Sequence, residues 1–360
     1  MIFKNLESLQ IPEGIVKTIT KDNILLWKRP HIYGISWKKT GNTLTRTDDA
    51  INFSNPVVAT GTSTGSSPFD NIYPWSDIVK VVDGNNTLVK IPKFWFKWTN
   101  SSNALTLQIS DKPIQGFYIS PMHADRGDGK GERDIAYIGR YRCAQTSYYS
   151  KTGLNPAASI TIDTARSKIK SLGTGYYQQD FATFWTTRML YLVEFANWDS
   201  FSVIPRPNAP TYENVKSGYT DSMKYHTGTS ANGYSFQYRW IEDPWAGMLE
   251  WCDGIRFVNN KDIYIIMNPN QFSNTANGVK VSSMSGTANA SGFIKDWKLS
   301  TVTGYEWMLW VNGVSSTATT TTIPDWYMQA SAGNALYIGG SRSILDKHGA
   351  FFIYCDFTNT

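Results

Sequence analysis

Ala335-Leu336-Tyr337-Ile338-Gly339-Gly340-Ser341-Arg342-Ser343-Ile344-Leu345-Asp346-Lys347-His348-Gly349-Ala350-Phe351-Phe352-Ile353-Tyr354-Cys355-Asp356-Phe357 is the stretch on which the reading of this chain turns. Its glycine pair, Gly339-Gly340, lets the backbone turn where a side chain would clash. The run after the pair mixes cation, anion, imidazole and aliphatic groups with neither a helical nor a strand period. A second step, Gly349-Ala350, leads into a short aromatic strand. Every kind of contact chemistry beside a glycine frame predicts a recognition surface rather than a catalytic one.

Upstream, Trp245-Ala246-Gly247-Met248-Leu249-Glu250-Trp251-Cys252-Asp253-Gly254 joins rings to two carboxylates. Glu250 and Asp253 could be imagined as an acid/base pair. Carboxylates this close along a chain are common, and no separation across a substrate follows from sequence. A hydrogen-bonding role within the fold is the better reading of Glu250.

Further out, Asp180 is read as the N-cap of a helix over Phe181–Asn197. There Phe181, Phe184, Trp185, Arg188, Leu192 and Phe195 recur at helical spacing and predict one buried face. Asp163 is read as the cap of a shorter helix, Thr164–Leu172, stopped by Gly173. Strands are predicted at Leu88–Trp98, Leu105–Ile109, Phe117–Ile119 and Ile135–Tyr141. Residues 198–240 read as loop, and 255–335 as short strands among long polar loops. At the start, Ile15–Thr20 and Ile24–Trp27 flank Lys21-Asp22-Asn23 as a hairpin. A lone hairpin is unstable, so this piece is expected to dock on something. The expected class is α+β, a mostly antiparallel assembly with two helices and much ordered loop. Three segments are expected: a β-hairpin attachment unit (1–30), a mixed leading segment packed on the main domain (31–85), and a ligand-binding domain (86–360).

The chain has 360 residues, 41% hydrophobic and 18% charged, which is the composition of a globular protein with a large core. Aromatics reach 14%, either half-buried rings of a β-rich core or exposed rings used for binding. The net charge of +5 is scattered, with no dense basic run, so nucleic acid is not expected as a partner. Cys143, Cys252 and Cys355 are odd in number and far apart, which suggests neither a disulfide framework nor a zinc site. No signal peptide and no apolar run long enough to span a bilayer is read, so no membrane insertion is expected.

Candidate chemistry is thin. Gly61-Thr62-Ser63-Thr64-Gly65 matches a nucleophile elbow, but a loop comes after it where a helix is needed. Asp125–Asp134 clusters oxygens, fails the calcium-loop spacing, and reads as a solvated turn. His31, His123, His226 and His348 lack ligand spacing. No catalytic residue, cofactor or metal is expected.

Gly247, Glu250 and Trp251 match the Gly-Asn-Val-Trp-Glu-Trp motif of the formylglycine-generating-enzyme type of C-type lectin fold. Gly339-Gly340-Ser341 with Gly349-Ala350-Phe351-Phe352 resembles the later glycine frame of that fold, with Arg342 where Trp is usual. Tyr33–Trp37, Leu44–Ala50, Ile72–Trp75, Ile91–Lys97, Tyr137–Tyr141 and Leu190–Asn197 make residues 31–357 similar to tail-associated proteins of phages and prophages of gut and other Gram-positive bacteria. Some relatives are variable proteins of diversity-generating retroelements. The resemblance implies that Arg342, Ser343, Ile344, Asp346, His348, Phe352, Tyr354, Asp356 and Phe357 occupy exposed, rewritable positions that bind a host receptor. It implies a non-enzymatic phage receptor-binding protein in the virion, a homotrimer. Its partners would be a bacterial surface protein or glycan and, through the N-terminus, other tail proteins. Two alternatives stand beside it. One is a structural tail or baseplate component without receptor contact. The other is a formylglycine-generating-type enzyme, whose reactive cysteine pair finds no match among these three cysteines.

Overall fold

Period-two alternation of rings and aliphatics with polar residues makes strands the larger part of this chain's regular structure. The computed structural model describes residues 18–21, 24–59, 65–205, 215–223, 235–258, 262–283, 291–329, 335–340 and 347–356, with backbone only for 18–28 and Asp356. The first ten strands are β1 (Thr18–Lys21), β2 (Ile24–Lys28), β3 (Ile32–Trp37), β4 (Thr45–Asp48), β5 (Val79–Asp83), β6 (Asn86–Pro92), β7 (Trp95–Asn100), β8 (Leu105–Ser110), β9 (Tyr118–Ile119) and β10 (Ile135–Gly139). Three helices come next: α1 (Ile162–Lys170), α2 (Phe181–Phe195) and α3 (Ser200–Val203). The remaining strands are β11 (Gln237–Tyr238), β12 (Ile241–Glu242), β13 (Glu250–Cys252), β14 (Ile255–Val258), β15 (Asp262–Ile265), β16 (Val279–Ser283), β17 (Gly292–Leu299), β18 (Leu309–Ser315), β19 (Trp326–Gln329), β20 (Ala335–Ile338) and β21 (Ile353–Asp356).

The architecture is α+β, mostly strands in several antiparallel sheets. The expected hairpin is β1–β2. A five-stranded sheet runs β4-β3-β8-β7-β9 and a three-stranded one β10-β6-β5. A six-stranded sheet runs β13-β20-β21-β19-β17-β18. Among the described residues its one parallel pairing is β19 with β21, so the last described strand lies inside the sheet between β20 and β19. The segment expected as one strand over 88–98 divides after Pro92, and its halves β6 and β7 serve different sheets.

Helix α2 differs from its expectation. The stripe predicted one buried face, but all fifteen residues are buried. The helix packs on β3 and β8 on one side. Trp297, Trp310 and Phe351 meet its rings from elsewhere. A helix covered on all sides belongs to the core. Its N-terminus is as read: the Asp180 carboxylate accepts from Thr183 N at 2.9 Å. It stops at Ala196, which is left-handed at φ 51°.

Two charged groups survive inside this helix because each is paired. Glu194 accepts with both carboxylate oxygens from the Nε–Nη2 edge of the Arg239 guanidinium, and the Glu194 and Arg239 side chains are 0% and 4% exposed. Arg188 donates to Ala350 O at 2.6 Å and Pro244 O at 3.0 Å and lies over the Phe184 and Trp245 rings.

Helix α1 starts earlier than expected. Thr161 rather than Asp163 is its cap, accepting from Thr164 N at 3.1 Å. Asp163 sits in the first turn instead, where its charge suits the helix dipole and pairs with Arg166 at 2.7 Å. Helix α3 falls in a segment read as loop. One apolar cluster runs from Tyr33 to Cys355, so residues 31–85 share a core with the rest.

Candidate ligand-binding site

Arg142 organises the 245–254 segment. It donates to Glu250 at 2.7 Å and to Asp243 O at 2.6 Å, and its guanidinium lies flat on Gly247. A Cβ on Gly247 would collide with that guanidinium, which is why a glycine stands three residues before Glu250. Glu250 therefore holds the fold, as read. Asp253 is fully buried between Arg166 and Arg256, with contacts of 2.5 and 2.8 Å, and burial pushes its carboxyl up to about 6.

The glycine pair does what its sequence suggests. Gly339 and Gly340 are left-handed at φ 83° and 71°. A Cβ on Gly340 would run into the His348 side chain. The space left by that missing side chain changes the reading of the C-terminal segment. His348 and Phe352 were expected to be exposed contact residues, but they are 5% and 1% exposed and pack against each other, ring centroids 3.9 Å apart and tilted by 44°. The backbone around them is clamped. Asp325 accepts from Gly349 N and from Phe351 N. Ser200 Oγ accepts from Ala350 N at 3.0 Å, and Arg188 binds the Ala350 carbonyl. Phe351 plugs the core against Trp198 at 4.7 Å. The tail segment is thus an anchor on its inner side. Arg342, Ser343, Ile344, Asp346 and Phe357 lie outside the described residues, as do Gly61 to Thr64 of the elbow-like motif. Asp356 pairs in register with Ala335.

Burial pushes the Asp325 carboxyl up to about 7, against the two N–H bonds that favour its charge. From its ordinary 3.8 to about 7 the folded chain keeps a proton that the unfolded chain has lost. The folded state binds more protons in that window, so this group's contribution falls as pH rises through it. His123 slopes oppositely between about 4 and 6.5, because burial lowers its ring to about 4. The test is the difference in urea midpoint between the wild type and Asp325→Asn. The wild type's margin is expected to shrink from pH 5 to pH 8. A margin independent of pH would show that Asp325 titrates ordinarily.

Tyr354 is half-buried, and it heads a ladder. Register places Trp251 opposite Tyr337 and Tyr337 opposite Tyr354, so one face of β13, β20 and β21 carries three rings in line. Trp251 and Tyr337 stack at 3.9 Å, and Tyr337 and Tyr354 at 5.9 Å. Trp251 Nε1 fixes the first rung by donating to Ile160 O at 2.8 Å. Two predicted residues, Trp251 and Tyr354, are thereby joined through one the sequence reading did not single out, Tyr337.

Trp251 and Tyr337 also line a cleft of about 1080 Å³. Its walls come from β10, from the turn before α1, from residues 172–180 and from residues 241–251. Six carboxylates and five cations line it. Most are paired with one another: Arg126 with Asp180, Arg133 with Asp128, and Arg142 with Glu250. The Asp125–Asp134 loop, read as a solvated turn, is instead tied down by the first two pairs, with the Asp128 side chain 1% exposed. Among the described residues no group of His, Cys, Asp and Glu could hold a metal ion. Compared with known proteins, the chain matches no protein-family model and no curated protein sequence.

Proposed function

We propose that this chain is a receptor-binding protein of a phage tail. In this reading it has a C-type lectin fold of the formylglycine-generating-enzyme type and contacts a bacterial surface protein or glycan. The supporting observation is the ladder Trp251–Tyr337–Tyr354, which carries large rings across the strands that frame the C-terminal segment. Tyr337 and Tyr354 keep part of their surface and give contact area while few rotors are frozen, with the buried Trp251 ring backing them. The segment is held from its buried side by Asp325, Ser200 and Arg188, so the fold of residues 347–355 does not rest on the half-buried Tyr354 ring. The three thiols also favour binding over redox chemistry. Burial pushes Cys143 up to about 11 and raises Cys252 and Cys355 well above the ordinary thiol value, whereas a reactive cysteine needs its thiolate. A trimer attached through its N-terminal unit would repeat the contact and multiply a weak affinity.

The burial of His348 and Phe352 favours a second reading, a structural tail component that touches no receptor. Labelled chain on a panel of gut Gram-positive cells, read by flow cytometry, separates the two. Cell binding is expected, and Tyr337→Ala with Tyr354→Ala should cut it about tenfold or more. A wild-type chain that binds no cell, or a double variant that binds as well, refutes the receptor reading.

A further inference from the structure

We infer that the cleft beside the ladder takes an uncharged saccharide chain, an inference that rests on the receptor-binding reading and names the chemistry of the receptor. Size is the first ground. At about 1080 Å³ the cleft stands at the upper end of small-ligand pockets, which leaves room for several linked rings. A concave site of that depth fits the end of a chain better than the flat face of a folded partner.

The wall chemistry is the second ground. Tyr137, Tyr148, Tyr176, Tyr177 and Tyr337 all line the cleft and all keep part of their surface exposed. Tyr137 is 50% exposed. A tyrosine offers an apolar ring face to the C–H face of a sugar and a hydroxyl to the sugar's own hydroxyls. Tyr176 and Tyr177 are positioned for this by bonds from their hydroxyls to Asp83 and Asn270.

Charge is the third ground. The arginines of the wall are spent on Asp180, Asp128, Glu250 and, for Arg188, backbone carbonyls. A polyanion would find Lys130 and little else; a polycation would have to break ion pairs that hold the wall. A neutral polyhydroxyl ligand breaks none of them. It can share the spare lone pairs and N–H groups of the paired forks, each of which has more hydrogen-bonding capacity than one partner uses.

A single atom completes the case. Gln178 belongs to the wall, and its Nε2 is fixed by Trp251 O at 2.8 Å. Its Oε1 is buried without a donor from the protein. Buried acceptors are almost always satisfied, so this one, in a residue of the wall, calls for a donor that a small side-chain movement could take from a ligand hydroxyl.

The experiment uses the full chain on an array of neutral and acidic oligosaccharides, then titrates a bound neutral one by calorimetry. Leu249 is 41% exposed on the wall, so Leu249→Arg should obstruct the cleft while leaving the core alone. Leu249→Arg and Tyr137→Ala are each expected to weaken binding about tenfold. Ile51→Ala, at an exposed position outside the cleft, should leave the titration unchanged. Cell binding should survive protease treatment of the cells and be lost on periodate oxidation of their glycans. Binding confined to acidic glycans, binding indifferent to Leu249→Arg, or cell binding destroyed by protease would each overturn the inference. If cells are bound while the array stays blank and Leu249→Arg has no effect, the saccharide cleft falls and the receptor reading stands. If a neutral oligosaccharide fills the cleft but no cell is bound, the receptor reading falls instead.

Discussion

Truncating Glu194 to Ala is expected to lower the free energy of unfolding by about 3–5 kcal/mol. The Glu194 side chain has no exposure and the Arg239 side chain 4%, so removing the carboxylate strands a cation in the core. Arg239 is held charged there mainly by Glu194, which raises its ionisation well above the ordinary arginine value against strong desolvation. Asp70, at 3.2 Å, is a second acidic neighbour and is itself partly exposed. The loss is therefore larger than the pair's net worth, because the penalty comes from the partner left behind. Urea titration of the two proteins measures it. Replacing both members, Glu194→Leu with Arg239→Met, should recover a large part of the loss, since no buried charge then remains unpaired. A single-variant loss below about 1 kcal/mol would mean that water or Asp70 compensates Arg239 fully.

Phe351→Ala is expected to cost about 3–5 kcal/mol, the usual range for a fully buried phenyl ring. The ring sits against Trp198, Tyr191 and Trp297, and the backbone on either side is clamped by Asp325 and Arg188. Those clamps resist collapse into the cavity, which puts the cost at the high end. Tyr354→Ala, three residues on and half-buried, should cost no more than about 1 kcal/mol. The contrast measures how sharply the segment divides into an inner anchor and an outer face. Equal losses would show that no such division exists.

Much of this was legible in the sequence for local reasons. Asp180 ahead of a ring-rich run names its own helix start, and Lys21-Asp22-Asn23 between two β-branched runs names a hairpin. What escaped depends on partners distant along the chain. His348 and Phe352 looked like surface residues because no period orders their neighbours. They are buried because Gly340 leaves space for the imidazole, and because Asp325 and Ser200 satisfy the backbone around them. None of those contacts can be read from the segment itself. The α2 stripe was recognised but its opposite face was not, since threonines at 183, 186 and 187 look solvent-facing until the Thr186 and Thr187 hydroxyls are seen bonding back to helix carbonyls and the Thr183 hydroxyl to the Asp180 carboxylate. Glu250 was read correctly as structural, while Arg142, which explains both Glu250 and Gly247, stands more than a hundred residues away and carried no signal of its own.

The position of β21 between β20 and β19 has a consequence for biogenesis. A nascent polypeptide emerging from the ribosome cannot close its largest sheet until residue 356 has been translated. Every shorter intermediate carries two open hydrogen-bonding flanks around a missing middle. During that interval the flanks can recruit the same strand from a neighbouring polysome-bound copy, which makes strand exchange between subunits the natural error, and a kinetic competitor, of correct maturation.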